Sequence, residues 1–335
     1  MKREGKLLEQ IADPSNLRLA FWKAQRGKAD KPEVKIYRKA LDKNLYLLHQ
    51  QILSGQVAVG DYHYFKVFDP KERQICAAAF GERVLHHALM NGCHANFERC
   101  QIENSFATRP GKGQYKALDR AKQFQAKYRW YLKLDVRKYF DSISHTILKA
   151  QLLRRFKEQK IHSIFHAIID SYQVEAGKGL PIGNLTSQYF ANHYLSAADH
   201  YIQEVLGVKG YVRYMDDMVL WGSHQKQLLA KGHQLAVFLE EKLGLLLKPF
   251  CLNTTPKPFP FLGYLLEGTT LRLTRRSRKR FSKRLLIYHN NLEQGLWDSG
   301  TYQRHVLPLI AFTRHARSYQ FRKSCMLAIQ QTGYD

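Results

Sequence analysis

Two short apolar runs, Tyr211–Tyr214 and Met218–Trp221, stand on either side of Met215-Asp216-Asp217. Runs this short, rich in aromatic and β-branched residues, read as strands, and so few intervening residues leave room only for a tight hairpin. That hairpin commits the chain to an antiparallel sheet. Its tip is chemically unusual, because turns of this kind favour Asn-Gly or Asp-Gly, while two adjacent acids repel each other unless a cation relieves them. A third acid, Asp135, ends another alternating strand, Tyr131-Leu132-Lys133-Leu134-Asp135, far earlier in the chain. An isolated Asp-Asp pair is ordinarily a solvated turn. Acids carried by strands from distant segments can instead converge on a pair of divalent ions. Magnesium suits them, since it binds through a few carboxylates while keeping waters and phosphate oxygens.

The remaining pattern is mixed helix and strand. Residues 1 to about 60 read as helical and basic, and Tyr62 to Phe68 as a strand. Asp69-Pro70-Lys71-Glu72 reads as a turn, Gln74 to Ala79 as the returning strand, and Val84, Leu85, Ala88 and Leu89 as one face of a helix. Asn104 to Gly113 is a loop. Ser144 is placed to cap a helix whose apolar face uses Ile147, Leu148, Leu152 and Phe156. A glycine-rich loop, Gly177 to Gly183, leads into helix as far as about Val205, and a further helix covers Gln227 to Leu243. A hairpin near Phe261 to Leu273 precedes an amphipathic helix marked by Phe281, Leu285, Tyr288 and Leu292.

Charge narrows the partners. Fifty-three Lys and Arg against 28 Asp and Glu give a formal net charge of +25. Such an excess repels itself unless an anion compensates it, so nucleic acid is the expected partner. No stretch approaches the ~20 apolar residues of a membrane-spanning helix, and the polar N-terminus offers no signal-peptide core. Five scattered cysteines without a Cys-x-x-Cys pair read as free thiols in a reducing compartment. The expectation is a cytoplasmic protein. His162 and His166 form a His-x-x-x-His pair without the Glu of a zinc hydrolase, and read as ordinary packing or surface histidines.

Tyr214-Met215-Asp216-Asp217 resembles the tyrosine-x-Asp-Asp box of reverse transcriptases, and Leu134-Asp135-Val136-Arg137-Lys138-Tyr139-Phe140-Asp141 resembles their first palm box. The resemblance runs from about Asn16 to about Leu273 in the family's order. It implies an α/β right-hand polymerase with a ferredoxin-like palm, fingers and a helical thumb. The corresponding division is an N-terminal helical extension over 1–61, fingers over 62–130, palm over 131–268 with a helical excursion near 142–180, and a basic thumb over 269–335. The implied reaction is attack of a DNA or RNA primer 3′-hydroxyl on a dNTP, directed by template RNA. Two Mg2+ ions, with Mn2+ as a substitute, would be held by Asp135, Asp216, Asp217 and the Val136 carbonyl. Lys71 and Arg73 would grip the triphosphate, Phe140 would exclude a ribose 2′-hydroxyl, and Lys248 is a candidate general acid. Arg83, Arg109, Gln188 and the primer-grip residues Gly263 and Tyr264 would touch template or primer. From Arg272 to Arg284 there are eight basic residues and no acid. In a helix, Arg276, Lys279, Arg280 and Lys283 share a face opposite Phe281 and Leu285, which suits a rail along a nucleic-acid backbone.

One box departs from the family pattern. Where most reverse transcriptases carry Gln-Gly-x-x-x-Ser-Pro, this chain has Ile182-Gly183-Asn184-Leu185-Thr186-Ser187-Gln188. That departure is shared with enzymes of diversity-generating retroelements, and the Asn104–Gly113 segment and the compact length resemble the same branch. The resemblance implies copying of a template-repeat RNA with errors mainly opposite adenine, alongside a small basic accessory protein. Ile182 beside the nascent base pair, in the dNTP site, removes hydrogen-bonding capacity that would discriminate between bases. The alternatives are a group II intron or retron type of reverse transcriptase, a non-catalytic RNA-binding protein, and a metal-dependent nuclease.

Overall fold

The computed structural model describes residues 6–68 and 72–332. The chain opens with α1 (Leu7–Ala12), α2 (Pro14–Ala24), α3 (Pro32–Lys39) and α4 (Leu41–Ser54). Pro14 and Pro32 open α2 and α3, where a missing N–H costs nothing. The Asp13 carboxylate accepts from the Ser15 and Asn16 amides to cap α2. Ile11, Leu17, Phe21 and Ile52 pack in one core with Val84, Leu85 and Ala88 of α5 (Phe80–Glu98). Between α4 and α5 lies a ribbon of β1 (Tyr62–Phe68) and β2 (Glu72–Ala78), paired from Tyr62 opposite Ala78 to Phe68 opposite Glu72. The first strand lies where the pattern set it; the second begins earlier, at Glu72. The expected turn at Asp69-Pro70-Lys71 lies outside the described residues.

The centre of the molecule is a four-stranded sheet. Its strands are β3 (Trp130–Asp135), β4 (Gly210–Tyr214), β5 (Asp217–Gly222) and β6 (Cys251–Thr254), in spatial order β4-β5-β3-β6 and antiparallel throughout. Between β3 and β4 run α7 (Tyr139–Ser142), α8 (His145–Arg155), α9 (Gln159–Asp170), α10 (Leu185–Tyr194) and α11 (Ser196–His200), the last continuing as a π-helical turn to Val205. The Ser144 hydroxyl caps α8 as expected, accepting from the Ile147 amide. With α12 (Gln225–Leu243) between β5 and β6, the order is strand, helices, two strands, helix, strand, the ferredoxin-like arrangement.

Period-two alternation divides the sheet's side chains between two layers. Leu132, Leu134, Tyr211, Met218 and Leu220 face the large helical core, while Tyr131, Val212, Val219 and Trp221 face the other side. There they meet α6 (Gln114–Lys127) through Ala117, Leu118, Ala121 and Phe124. Each fully buried large apolar side chain contributes about 1.5–3 kcal/mol. Neither α6 nor β6 is evident in the sequence: the stripe of α6 is small-residue-rich between lysines and glutamines, and β6 has four residues.

A second antiparallel sheet follows, of β7 (Phe259–Phe261), β8 (Tyr264–Glu267) and β9 (Thr270–Leu273), with Phe259 against Tyr131 at 4.3 Å between ring centroids. The expected hairpin is therefore three strands. Thr274 caps α13 (Arg275–Glu293), and α14 (Ser299–Arg314) and α15 (Tyr319–Thr332) pack on it around Phe281, Leu285 and Val306. All five cysteines are free thiols. Among the described residues no helix is long and apolar enough to cross a membrane.

His193, on α10, is buried against Phe97 with Nδ1 3.1 Å from Cys100 Sγ. Burial, and secondarily Arg155, push its pKa down to about 4. The unfolded chain therefore takes up this proton first as pH falls below ~6.5, so the stability is whole above that value and is lost on the way to the folded value. At pH 5 the loss is roughly 2 kcal/mol. Urea midpoints at pH 7.5 and 5 should separate less in His193→Gln than in the parent chain.

Candidate active site

The β4–β5 hairpin closes Tyr214 against Asp217 through Met215 and Asp216 alone. Met215 has φ 53°, a region glycine normally occupies in such loops, and a non-glycine residue there carries about 1–2 kcal/mol of strain. The strain is opposed from below. Arg213 is fully buried, and its Nη1 donates to the Met215 carbonyl at 3.2 Å and to Asn192 Oδ1 at 2.7 Å. Its Nε and Nη2 bind Asp199 Oδ1 and Oδ2 at 2.7 and 2.5 Å, and Tyr211 donates to the same Asp199 Oδ1 at 2.7 Å. Arg213 backbone groups also bond Asn104 and Phe106, fixing the 104–113 loop to β4. A buried ion pair satisfied on every side thus fixes the tip that carries two acids.

Asp135 is the register partner of Asp217 across β3 and β5. Both are in the odd-numbered set with Tyr131, Val219 and Trp221, so their side chains leave the same face of the sheet. Directly opposed like charges destabilise a sheet, and two lysines reduce the repulsion. Lys248 Nζ donates to Asp135 Oδ2 at 2.8 Å, and Lys133 Nζ lies 3.4 Å from Asp217 Oδ1. Among the described residues no lysine is paired with Asp216 in this way. Burial, then Asp217, then Asp135 push its carboxyl up to about 6, and Arg73 opposes the rise. Asp216 therefore feels the fields of Asp217, Asp135 and Arg73.

Among the described residues no three His, Cys, Asp or Glu side chains group closely enough to hold a metal ion by themselves. The donor set nonetheless fits a hard divalent cation. Its charges are all carboxylate, their mutual repulsion is expressed in Asp216, and magnesium ordinarily takes one or two carboxylates and completes its sphere with water and substrate phosphate.

The other expected residues fall into three groups. In the first group, Phe140 lies on α7 just after β3 in the chain, half-buried, with its ring 5.7 Å from that of Tyr139, whose hydroxyl donates to the Ala191 carbonyl. Val136 bridges to Leu247, and the Asp135 carbonyl accepts from the Lys248 amide at 2.9 Å, which brings Lys248 beside the acids. Ile182 accepts from the Cys76 amide at 2.8 Å and so fastens the β1–β2 ribbon to the loop before α10. At Gly183, φ 124°, a Cβ would come within 2.8 Å of Ile75, which explains glycine there. Gln188 is exposed on α10. Lys71 lies outside the described residues.

A second group is engaged within the fold. Arg109 is not a free cation for a template: Nε and Nη2 grip Glu98 at 2.6–3.0 Å, and Nη1 reaches the Ile102 and Ser105 carbonyls. Arg83 Nε donates to the Ala78 carbonyl at 2.7 Å. Tyr264 is fully buried and donates to the Phe312 carbonyl at 2.5 Å, so it anchors β8 to α14 and presents no free hydroxyl. Gly263, φ 84°, is exposed beside it. The third group lies on α13, where Arg276, Lys279 and Lys283 are exposed and Arg280 is half-exposed, with Phe281 and Leu285 buried on the opposite face. Arg213, Asp199, Lys133 and Asn192 were missed. A charged residue inside the apolar run Tyr211–Tyr214 was the available signal for the first of them.

A sequence profile of the family described as reverse transcriptase (RNA-dependent DNA polymerase) matches residues 69–266. Protein YkfC of Escherichia coli (strain K12) is 22% identical over 209 residues, covering 58% of this chain and 55% of that protein. The chain thus spans about half the length of the curated relative it matches. Among solved structures, apo telomerase from Candida tropicalis superposes with a TM-score of 0.53 at 13% identity, covering 89% of this chain and 64% of that one. Telomerase from Candida albicans, in complex with a TWJ fragment of telomeric RNA, gives 0.47 at 13% identity over 80% and 54% of the two chains. At 13% identity the likeness to the Candida tropicalis enzyme is one of fold.

Proposed function

The chain belongs to the reverse transcriptase family, and from that premise we propose that it is an RNA-directed DNA polymerase that extends a primer with dNTPs on an RNA template. The observation that carries this reading is Asp135 opposite Asp217 on one face of a ferredoxin-like sheet, with Asp216 at the adjoining tip. In this reading the β1–β2 ribbon belongs to the fingers, the four-stranded sheet to the palm, and α13–α15 to the thumb.

Asp135, Asp216, Asp217 and the Val136 carbonyl would hold magnesium, which would supply positive charge where the primer 3′-hydroxyl attacks and pyrophosphate leaves. The chain's own groups do the rest. Arg73, close enough to lower the Asp216 pKa, orients the triphosphate from the ribbon together with Lys71. Lys248, held by Asp135, is the group placed to act as general acid toward the departing pyrophosphate. The exposed face of α13 follows the duplex backbone through phosphate contacts. Phe140 occupies the space of a ribose 2′-hydroxyl. Phe140→Ala should therefore lower the preference for dNTP over rNTP by on the order of tenfold to a hundredfold, read from single-nucleotide incorporation rates.

Within the family, we assign the chain to the diversity-generating branch, working with a template-repeat RNA and a small basic accessory protein. Ile182 supports this assignment, since an aliphatic side chain offers the nascent pair no hydrogen bond. Copying a defined RNA and sequencing the products tests both levels. The reading expects cDNA with errors concentrated opposite adenine, and a lower adenine error rate in Ile182→Gln. An even error spectrum would favour a group II intron or retron type of enzyme.

A further inference from the structure

On the side of α13 away from the exposed rail lies a groove of about 690 Å3. Arg272 of β9, Arg278 of α13 and Arg317 of the α14–α15 loop line it, with Leu265, Tyr319 and Phe321. Its position follows from geometry. Each helical residue turns about 100°, so Lys279, Arg280 and Lys283 lie within about 60° of Arg276, whereas Arg278 lies about 200° around. The contacts agree: Arg280 sits over the Phe312 ring, beside Gly263, while Arg278 sits over Phe321. In the small sheet, Leu265 and its register partner Arg272 leave the face opposite to buried Tyr264 and Leu266.

The composition of the groove points to one ligand chemistry. Three guanidinium groups arrive from three separate elements, and the acid found among them is Glu267, 3.0 Å from Arg272. Beside them Tyr319 is 66% exposed, a flat ring at the mouth of a cationic channel. Arginines that pair with phosphates, next to an open aromatic ring on which a base can stack, make the surface that single-stranded nucleic acid takes without sequence preference. We infer that this groove is a second nucleic-acid site, on the side of α13 away from the exposed rail, which holds a single-stranded stretch of RNA. The inference rests on the polymerase reading only for the source of that strand, the template beyond the copied region. The binding itself is measured without nucleotides, so failure to polymerise and failure to bind are separate outcomes.

The test uses the full chain saturated with an unlabelled RNA–DNA template–primer whose ends are blunt, so that it offers no single-stranded template to the groove, and a fluorescein-labelled single-stranded RNA of about 12 nucleotides is then added. Anisotropy is read across a salt series. The expected result is that the labelled strand binds alongside the template–primer. Arg272→Gln/Arg278→Gln/Arg317→Gln should weaken it on the order of 100-fold at ~0.1 M salt and reduce the slope of log K against log salt by about 2. Tyr319→Ala alone should weaken it roughly tenfold. Template–primer affinity should be unchanged in both variants. Complete displacement of the label by template–primer would overturn the inference, as would an unaltered salt slope in the triple variant. So would poly-glutamate displacing the label at lower concentration than unlabelled RNA, which would make the groove a site for an acidic polypeptide.

Discussion

Asp216→Asn is expected to lower primer extension by at least about a thousandfold while leaving template–primer affinity within about threefold. On the proposed function, the substitution preserves shape and removes one charge from a site whose metal ions would be worth several kcal/mol of transition-state stabilisation, at ~1.4 kcal/mol per tenfold. Affinity would be carried elsewhere, by phosphate contacts that do not involve the tip. The same variant should be the more stable protein. In the parent chain the folded carboxyl is held at about 6, above its ordinary 3.8, by burial, Asp217 and Asp135. A raised folded pKa means that the folded state binds the proton more tightly, so stability falls as pH rises above the ordinary value and is lowest once pH passes 6. Removing the charge at pH 7.5 should recover on the order of 1–2 kcal/mol after allowance for solvent screening, read as a higher thermal midpoint in a metal-free buffer. A variant that lost extension together with stability would point to ordinary unfolding.

Arg213→Met should destabilise the fold by about 3–5 kcal/mol, because it leaves the Asp199 carboxylate buried without its partner. The informative comparison is Arg213→Met/Asp199→Asn. The amide keeps an acceptor for Tyr211 and removes the stranded charge, so roughly half or more of the lost stability should return. The bond from Nη1 to the Met215 carbonyl does not return. Extension at saturating dNTP should therefore stay on the order of tenfold below the parent with KM little changed, as expected for a residue that positions the acids without touching substrate. A double variant that extends at the parental rate would show that the pair serves stability alone.

The sequence was most legible where local chemistry and tertiary structure agree. Met218–Trp221 alternates between two buried layers, so its strand character survives any context, and the intervening loop is too short to be anything but a hairpin. The like charges at the tip were legible for the same reason, since their proximity is a consequence of covalent sequence. What could not be read depends on partners that meet only in three dimensions. Arg213 finds Asp199 on a helix that sequence alone does not set beneath β4. Arg109 resembled a surface cation in a chain with a large basic excess, yet Glu98 and two carbonyls enclose it. Tyr264 reads as a primer-grip residue, yet its side chain is buried and its hydroxyl donates to the Phe312 carbonyl. The stripe of α6 is too poor in large apolar residues to stand out, because the aromatic side chains that complete that layer come from β3, β5 and β7.

Template-directed nucleotide addition at the acidic end of the four-stranded sheet is tested by giving the intact chain, with magnesium, a labelled primer annealed to RNA and one dNTP at a time. A single added residue is expected with the dNTP complementary to the next template base, and none with the other three. Addition that ignores the template, or shortening of a labelled strand in the absence of any dNTP, would contradict it.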